Sequence, residues 1–460
     1  MGAFRCSELG GLWFRGHYRQ LRRVDDFEPG DCWKNLIHEH HWRVYDGSLI
    51  TYPAKVSYNQ TTRNAMKILP TVATLVVTAI LAACASVAPV PGKRELMIVA
   101  NDEKLSWDGD GKVILSAPGR DTVSIIDIGT DPLAPKIIAN LPLANSIVGP
   151  PVNLAITPDE TLAIVANSMN VVSEDGVFKQ VPDNRLYVID LTTNPPKLID
   201  TVLVGKQPSG LSINKAGNLA LIANRADNSV SVLRISGKKV ELIDTVAMGE
   251  SVAHVRFTPD GKRAVAAKFP NHKIAFLDVN GEQVTYNKLD VPAGLWPYNV
   301  DVTPDGKLAL TADNGNSGAA DGHVDTVSVI DLEATPPRVI DKVVVGDAPE
   351  GLAISPTGKM AVAVLLKGSN ASTKAPFYHR NASVVALKID GKKVTRGNEV
   401  EVRGLPEGAV FSADGRYLYV GNFIDQDISI LRVDGDQLVN TGKSMKLPGH
   451  PAAMRGKLTH

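Results

Sequence analysis

The chain has little cysteine and no excess of either charge. Its 460 residues include three cysteines, and Cys6 and Cys32 precede the export signal described below, so no disulfide is expected. Lys and Arg number 49, as do Asp and Glu, without a basic stripe, which argues against a nucleic-acid partner. Motifs for a serine-hydrolase elbow, a phosphate-binding loop and a haem attachment are also missing. No cofactor is therefore predicted, although a bound divalent cation is compatible with the sequence.

A short turn, Thr/Ser-Pro-Asp-Gly-Lys in its clearest form, recurs along the chain. Clear copies occupy residues 258–262, 303–307, 355–359 and 412–416, and degenerate copies occupy 157–160 and 214–218. Pro presets φ at the second turn position, and Gly takes the left-handed conformation that closes a hairpin. Since the copies recur about every 45 to 60 residues between short apolar runs, they predict a radial array of small sheets.

Each repeat unit divides into four strands, A to D. In the fourth unit these are residues 254–258, 262–267, 273–279 and 283–291. The β-branched C strands number seven. A strands begin with Pro-x-Gly/Asn in the clearest copies, and the last counterpart of this motif, Pro-Ala-Ala at 451–453, has no B strand after it. The B-like segment 95–101 has no A strand before it. We therefore predict an all-β, seven-bladed propeller, closed by a C-terminal strand A that joins N-terminal strands B to D.

Residues 66–84 have the pattern of an export signal: one basic residue, an apolar core and a small-residue exit. The ending Leu-Ala-Ala-Cys84 resembles a bacterial lipobox, which makes Cys84 the predicted lipidation site; a plain secretory peptide is the alternative. The predicted domains are a mis-annotated or disordered leader (1–65), the signal peptide (66–83), a tether (84–94) and the propeller (95–460). The protein is expected to be an exported monomer, anchored by lipid in the outer membrane and facing the periplasm.

The long loops lie on one face. In each unit the D–A and B–C connections share a face, called here the loop side, and the recurring turns occupy the other, the turn side. The long B–C connections belong to units one, two, five and six, at residues 102–121, 168–184, 314–325 and 366–381. Because long surface loops often carry function, the loop side is the predicted binding face.

Large polar residues interrupt the small residues expected where A strands approach the axis. We predict catalytic roles for His254, Arg256 and Glu350. The predicted ligand-binding residues of the A strands are Asn153, Tyr298, Asn299, Asp301 and Glu407. Lys268 is added because it interrupts an Asn-rich column of equivalent positions at the ends of the B strands, in the same unit as His254. Structural alternatives stay open: an ion pair between the neighbouring blades for Arg256 and Asp301, a hydrogen-bonded core histidine for His254, and solvated rim residues for the two glutamates. No metal site is predicted from histidine or cysteine spacing.

Segments 121–127, 208–211, 223–224 and 419–422 resemble the YVTN-repeat β-propellers of bacterial envelopes and archaeal surface layers. That group is similar in fold to lactonases of the 6-phosphogluconolactonase and muconate-cyclase type. The resemblance covers about residues 95–455 and implies a channel-mouth site of Glu, His and Arg, for which His254, Arg256 and Glu350 match by type. Two functions follow as hypotheses: an envelope propeller that binds a partner protein or small ligand on its loop side, which we prefer, or a periplasmic lactonase.

Overall fold

The computed structural model describes residues 93–457, which form an all-β unit. Within this range no helix has the length and apolar character needed to cross a membrane. The predicted leader, signal peptide, lipidation site at Cys84 and most of the tether lie outside the described residues, so those calls stay predictions.

Seven four-stranded antiparallel sheets follow one another along the chain. Blade one contains β1 (Leu96–Asn101), β4 (Thr122–Asp127) and β5 (Lys136–Leu141), with a hairpin of β2 (Leu105–Trp107) and β3 (Val113–Leu115) inserted after β1. Blade two contains β6 (Leu154–Ile156), β7 (Leu162–Ala166), β10 (Arg185–Asp190) and β11 (Lys197–Leu203), with a hairpin of β8 (Met169–Glu174) and β9 (Val177–Pro182) inserted after β7. Blade three contains β12 (Pro208–Ile213), β13 (Leu219–Asn224), β14 (Ser229–Ser236) and β15 (Lys239–Ala247).

The remaining blades repeat this order. Blade four contains β16 (His254–Phe257), β17 (Arg263–Lys268), a 3-10 turn (Phe269–Asn271), β18 (Lys273–Asn280) and β19 (Gln283–Pro292). Blade five contains β20 (Pro297–Val302), β21 (Leu308–Asp313), β22 (Asp325–Asp331) and β23 (Arg338–Gly346). Blade six contains β24 (Pro349–Ile354), β25 (Met360–Leu365), β26 (Ala382–Asp390) and β27 (Lys393–Val402). Blade seven contains β28 (Pro406–Phe411), β29 (Tyr417–Asn422), β30 (Asp427–Asp434) and β31 (Gln437–Lys446).

The last strand, β32 (Pro451–Gly456), completes blade one. It pairs antiparallel with β1, for example through Met97 with Gly456 and Val99 with Met454. The predicted ring closure is therefore confirmed, as are the blade number and the all-β class. Each of the seven blade interfaces has its own cluster of buried apolar side chains, including the interface between blades seven and one, where Met97 packs with Tyr419.

The recurring turn closes the first hairpin of a blade through side chains as well as backbone. In blade four the Thr258 hydroxyl donates to Asp260 Oδ1 at 2.6 Å and accepts from the Arg263 amide at 3.2 Å. Gly261 has φ 68°, in the left-handed region that favours glycine. The four predicted strand ranges of this blade agree with the observed ones to within one residue at each end.

Two of the long loops contain structure that the sequence analysis did not predict, the hairpins β2–β3 and β8–β9. The loop of blade one also reaches the loop of blade six: the Thr373 amide donates to Gly109 O at 3.0 Å, and Lys374 pairs with Asp110 at 2.9 Å. These contacts place the two insertions on the same face, as predicted. The blade-one insertion also reaches blade seven, where the Trp107 ring lies 5.7 Å from that of Phe423.

Candidate functional site

A β-bulge recurs near the loop-side end of the first strand of a blade. In blades three, five, six and seven the pairing of the first and second strands gains one extra residue immediately after the initial proline. The residues that follow these prolines are Ser209, Tyr298, Glu350 and Glu407. The closing pair of β32 and β1 has the same irregularity after Pro451. Bulges change the direction in which side chains point and are frequent beside active sites. The backbone of these strands therefore removes this set of residues from the usual alternation of side chains between the two faces of a sheet.

The glycines of the Pro-x-Gly motif are explained by close approach between neighbouring first strands. A Cβ atom on Gly351 would lie 2.3 Å from the backbone oxygen of Glu407, and one on Gly408 would lie 2.7 Å from Met454 Cβ. Both distances are too short for any side chain, so the crowded axis requires glycine at these positions.

Glu350 and Glu407 form a pair of buried carboxyl groups on the bulges of adjacent blades. Their exposed fractions are 8% and 2%, so neither is a solvated rim residue. Burial raises the pKa of Glu350 to about 8, although the Arg225 guanidinium and the Asn314 amide lower it in part. Burial and the charge of Glu350 raise the pKa of Glu407 well above its usual value. The pair therefore retains protons at neutral pH, and Arg225 and Asn314 favour the ionised form of Glu350, whereas no such neighbour favours that of Glu407.

Arg225, which the sequence analysis missed, lies beside this pair. Its guanidinium carbon is 4.8 Å from the centre of the Phe269 ring and 5.4 Å from that of Tyr298. Two of its nitrogens, Nε and Nη1, have no hydrogen-bond partner among the described residues. The aromatic rings thus fix the orientation of the cation while leaving donor positions for another molecule.

Other polar atoms on this side of the ring also lack partners within residues 93–457. They include Oγ of Ser168, Oγ of Ser209, Oδ1 of Asn153 and Oε2 of Glu407. Buried polar groups are normally hydrogen-bonded, so this concentration indicates a position for water or a polar ligand. The Asn153 amide nitrogen donates to Ala166 O at 2.9 Å, which holds that side chain in place.

A second column of equivalent positions supplies several of these groups. The equivalent positions just beyond the second strands are occupied by Asp102, Ser168, Arg225, Phe269, Asn314, Leu366 and Phe423. The sequence analysis stopped one position earlier, at the Asn-rich end of the strand. Comparison of the next position would have revealed a lone arginine among mostly small, amide and apolar residues.

His254 is the first residue of β16 and is fully buried. Its Nδ1 atom lies 3.0 Å from Asn299 Oδ1 and 3.2 Å from the backbone nitrogen of Val300. Nε2 has no hydrogen-bond partner in the described part of the chain. Burial, with the charges of Arg455 and Arg256, holds its pKa well below the usual value, so the ring is neutral at pH 7. The structure brings His254 and Asn299 together; a catalytic role for His254 stays a prediction.

Arg256 and Asp301 form the expected ion pair between blades four and five. Arg256 Nε lies 2.9 Å from Asp301 Oδ1, and both side chains are buried. Asp301 also accepts hydrogen bonds from the backbone amides of Val302 and Ile354, each at 3.0 Å. The carboxylate therefore joins blades four, five and six.

Lys268 does not join the other predicted residues, because its hydrogen-bond partners lie on the outer strand of its blade. Its amino group bonds the Tyr286 hydroxyl at 2.8 Å and Asp290 at 3.0 Å, both on the outer strand β19 of its own blade. These bonds account for the buried charge structurally. No cluster of three or more His, Cys, Asp or Glu residues suited to a metal ion occurs within residues 93–457.

No protein-family model and no curated protein sequence matches the chain significantly. Solved structures do. A periplasmic gluconolactonase from Pseudomonas aeruginosa is 18% identical, with TM-score 0.58, over 80% of this chain and 100% of that one. Putative 6-phosphogluconolactonases from Bacteroides fragilis (17% identical, TM-score 0.59, 79% and 98% covered) and Bacteroides uniformis (15%, 0.58, 79% and 99%) are similar to the same extent. The chain thus has the seven-bladed fold of 6-phosphogluconolactonase-like propellers.

Proposed function

We propose that the protein hydrolyses a lactone at the loop-side mouth of its central channel. The observation that carries the proposal is the pair of buried carboxyl groups, Glu350 and Glu407, beside the unpartnered nitrogens of Arg225. The likeness of the fold to proteins named as gluconolactonases supports it. A purely binding propeller, the first hypothesis from the sequence, does not account for two carboxyl groups held close together in a buried site.

The residues divide into a base, an acid and a cation. Glu350, whose ionised form Arg225 and Asn314 favour, removes a proton from a water molecule as that water attacks the lactone carbonyl carbon. Arg225 donates to the oxygen that becomes negative. When the bond from the carbonyl carbon to the ring oxygen breaks, protonated Glu407 gives its proton to the departing oxygen. The product is an open-chain hydroxy acid, and one water molecule is consumed.

The test is hydrolysis of a panel of sugar-acid and simple lactones. We expect Glu350→Gln and Glu407→Gln each to lower kcat/KM by about 100-fold or more, since general acid–base groups contribute 10²–10⁴-fold. The matched control is Glu282→Gln, an exposed glutamate whose side chain is 50% accessible. Wild-type protein that binds lactones without turning them over would return the binding hypothesis to first place. Retention of full activity in Glu350→Gln would exclude the assigned base.

The pH profile gives a second measurement on the same protein. Because burial raises the pKa of Glu350 to about 8, the rate should increase as pH rises through that value and the carboxylate forms. Loss of the proton of Glu407 removes the acid, so the rate should fall again once both carboxyl groups are ionised. A rate that is flat between pH 6 and 9 would contradict the assignment.

The location of this activity also belongs to the proposal. An exported lipoprotein, anchored through Cys84 in the outer membrane and facing the periplasm, fits the sequence pattern of residues 66–84. The mass of the natural N-terminal peptide tests it: a diacylglycerol-modified Cys84 is expected, whereas an unmodified N-terminus upstream of Met66 would refute it.

A further inference from the structure

The turn-side end of the channel contains a second polar space, away from the glutamate pair. It is a cavity of about 50 Å³ whose polar lining residues are Ser212, Arg256, Asp301, Arg455 and Lys457. One water molecule needs about 10–15 Å³ on this measure, so the cavity has room for a small polyatomic ion.

The charges around the cavity do not cancel. Asp301 is the one carboxylate in the lining, and Arg256 already pairs with it at 2.9 Å. Lys457 lies 3.7 Å from Glu160 and has its counter-charge there. Arg455, from the closing strand β32, therefore adds a positive charge for which the lining holds no second carboxylate.

One nitrogen of Arg455 also lacks an acceptor: Nη2 is buried and has no hydrogen-bond partner among the described residues. Burial and the charge of Arg256 lower the pKa of Arg455 to about 10, although the charge of Asp301 raises it in part. The guanidinium therefore stays protonated at neutral pH. A buried donor of this kind is unfavourable unless an oxygen atom completes it.

We propose that this cavity binds a small oxyanion of the phosphate or carboxylate class, held by the guanidinium of Arg455 beside the ion pair of Arg256 and Asp301. The planar arrangement of guanidinium donors matches the oxygens of such anions. The site is separate from the proposed lactonase centre, since its residues occupy the turn-side end of the first strands.

In the experiment, the purified protein is titrated with inorganic phosphate, and binding is measured by calorimetry and by the change in melting temperature. A parallel titration with sodium chloride at equal ionic strength is the control for general salt effects. We expect saturable binding and a rise in melting temperature for the wild type, because a ligand that binds only the folded state stabilises it. Arg455→Gln should weaken phosphate binding by more than tenfold. Titration with acetate in parallel tells the carboxylate class from the phosphate class.

Two matched arginine variants give the controls. Arg225→Gln removes the cation at the loop-side end, and Arg432→Gln removes an exposed arginine whose side chain is 52% accessible; both should bind phosphate as the wild type does. The proposal is overturned if Arg455→Gln binds phosphate normally, if Arg225→Gln abolishes binding, or if neither anion binds the wild type. Should Arg455→Gln not fold, Arg455→Lys keeps the charge without the planar fork and is expected to bind several-fold more weakly. Lactone turnover by the Arg455 variants is measured in the same preparations. A loss of phosphate binding can then be told apart from a loss of the proposed lactonase activity.

Discussion

The two ends of the central channel compensate buried charge in different ways. At the turn side, Asp301 receives Arg256 and two backbone amides, so its carboxylate is part of the joint between three blades. At the loop side, Glu350 and Glu407 are buried next to each other, and Glu407 Oε2 has no partner in the described chain. Since both ends use side chains from the same first strands, the comparison teaches that hydrogen-bond satisfaction, more than burial or charge, separates structural polar residues from candidate functional ones.

The most severe test of this contrast is Asp301→Asn. It leaves Arg256 buried without its counter-charge, and loss of one partner of a buried pair costs about 3–5 kcal/mol. We expect a decrease of that size in the free energy of unfolding, measured by urea denaturation.

The exposed pair of Arg234 and Glu282 supplies the control. Glu282→Gln should leave the unfolding curve unchanged, because exposed ion pairs contribute little. If Asp301→Asn were equally neutral, the turn-side pair would not be structural and the contrast would fail.

A gain in stability is expected at the other end. The raised pKa of Glu350 means that the folded state holds a proton more tightly than the unfolded chain does, so stability decreases as pH rises from about 4.5 to about 8. Glu350→Gln removes this loss and should be on the order of 5 kcal/mol more stable than the wild type at pH 8.5, with little difference at pH 4.5. Thermal unfolding at the two pH values measures it; equal differences at both would show that Glu350 is not buried as a protonated acid.

The smallest expected effect concerns His254, for which stability is lost as pH falls and not as it rises. Because the pKa of His254 is lowered in the folded state, stability is lost as pH falls below the unfolded value of about 6.5. His254→Gln should reduce this acid-side loss by about 1 kcal/mol between pH 6.5 and 5.5. Denaturant unfolding across that interval checks it, with the exposed His323 (side chain 86% accessible) changed to Gln as the control. If the loss of stability between pH 6.5 and 5.5 were the same in His254→Gln as in the wild type, the titration of another group would be responsible for it.

The fold was predictable because each level of the sequence agreed with the next. The turn at residues 258–262 fixed a hairpin, and the unmatched segments near Glu95 and Pro451 required one another. The ion pair of Arg256 with Asp301 was equally accessible, since both occupy one column of equivalent positions in neighbouring blades.

The site was predictable only in part. Glu350 and Glu407 stood out as large residues in a column of small ones, but their burial depends on bulges and covering loops that a periodic pattern does not encode. Arg225 was missed because it comes from the end of the second strand and reaches the glutamates through tertiary packing on Phe269. Lys268 was assigned to the site from its column, whereas its contacts lie on the outer strand of the blade.

The pairing of β32 with β1 joins segments from opposite ends of the described chain. Until that pairing forms, blade one has three strands, and Arg455 has no fixed position relative to Arg256. An ion bound by Arg455 beside Arg256 would consequently act as a latch on the assembled ring. Its occupancy would then govern how often the first blade opens, a rate that hydrogen exchange at the amides of residues 97–100 would report directly.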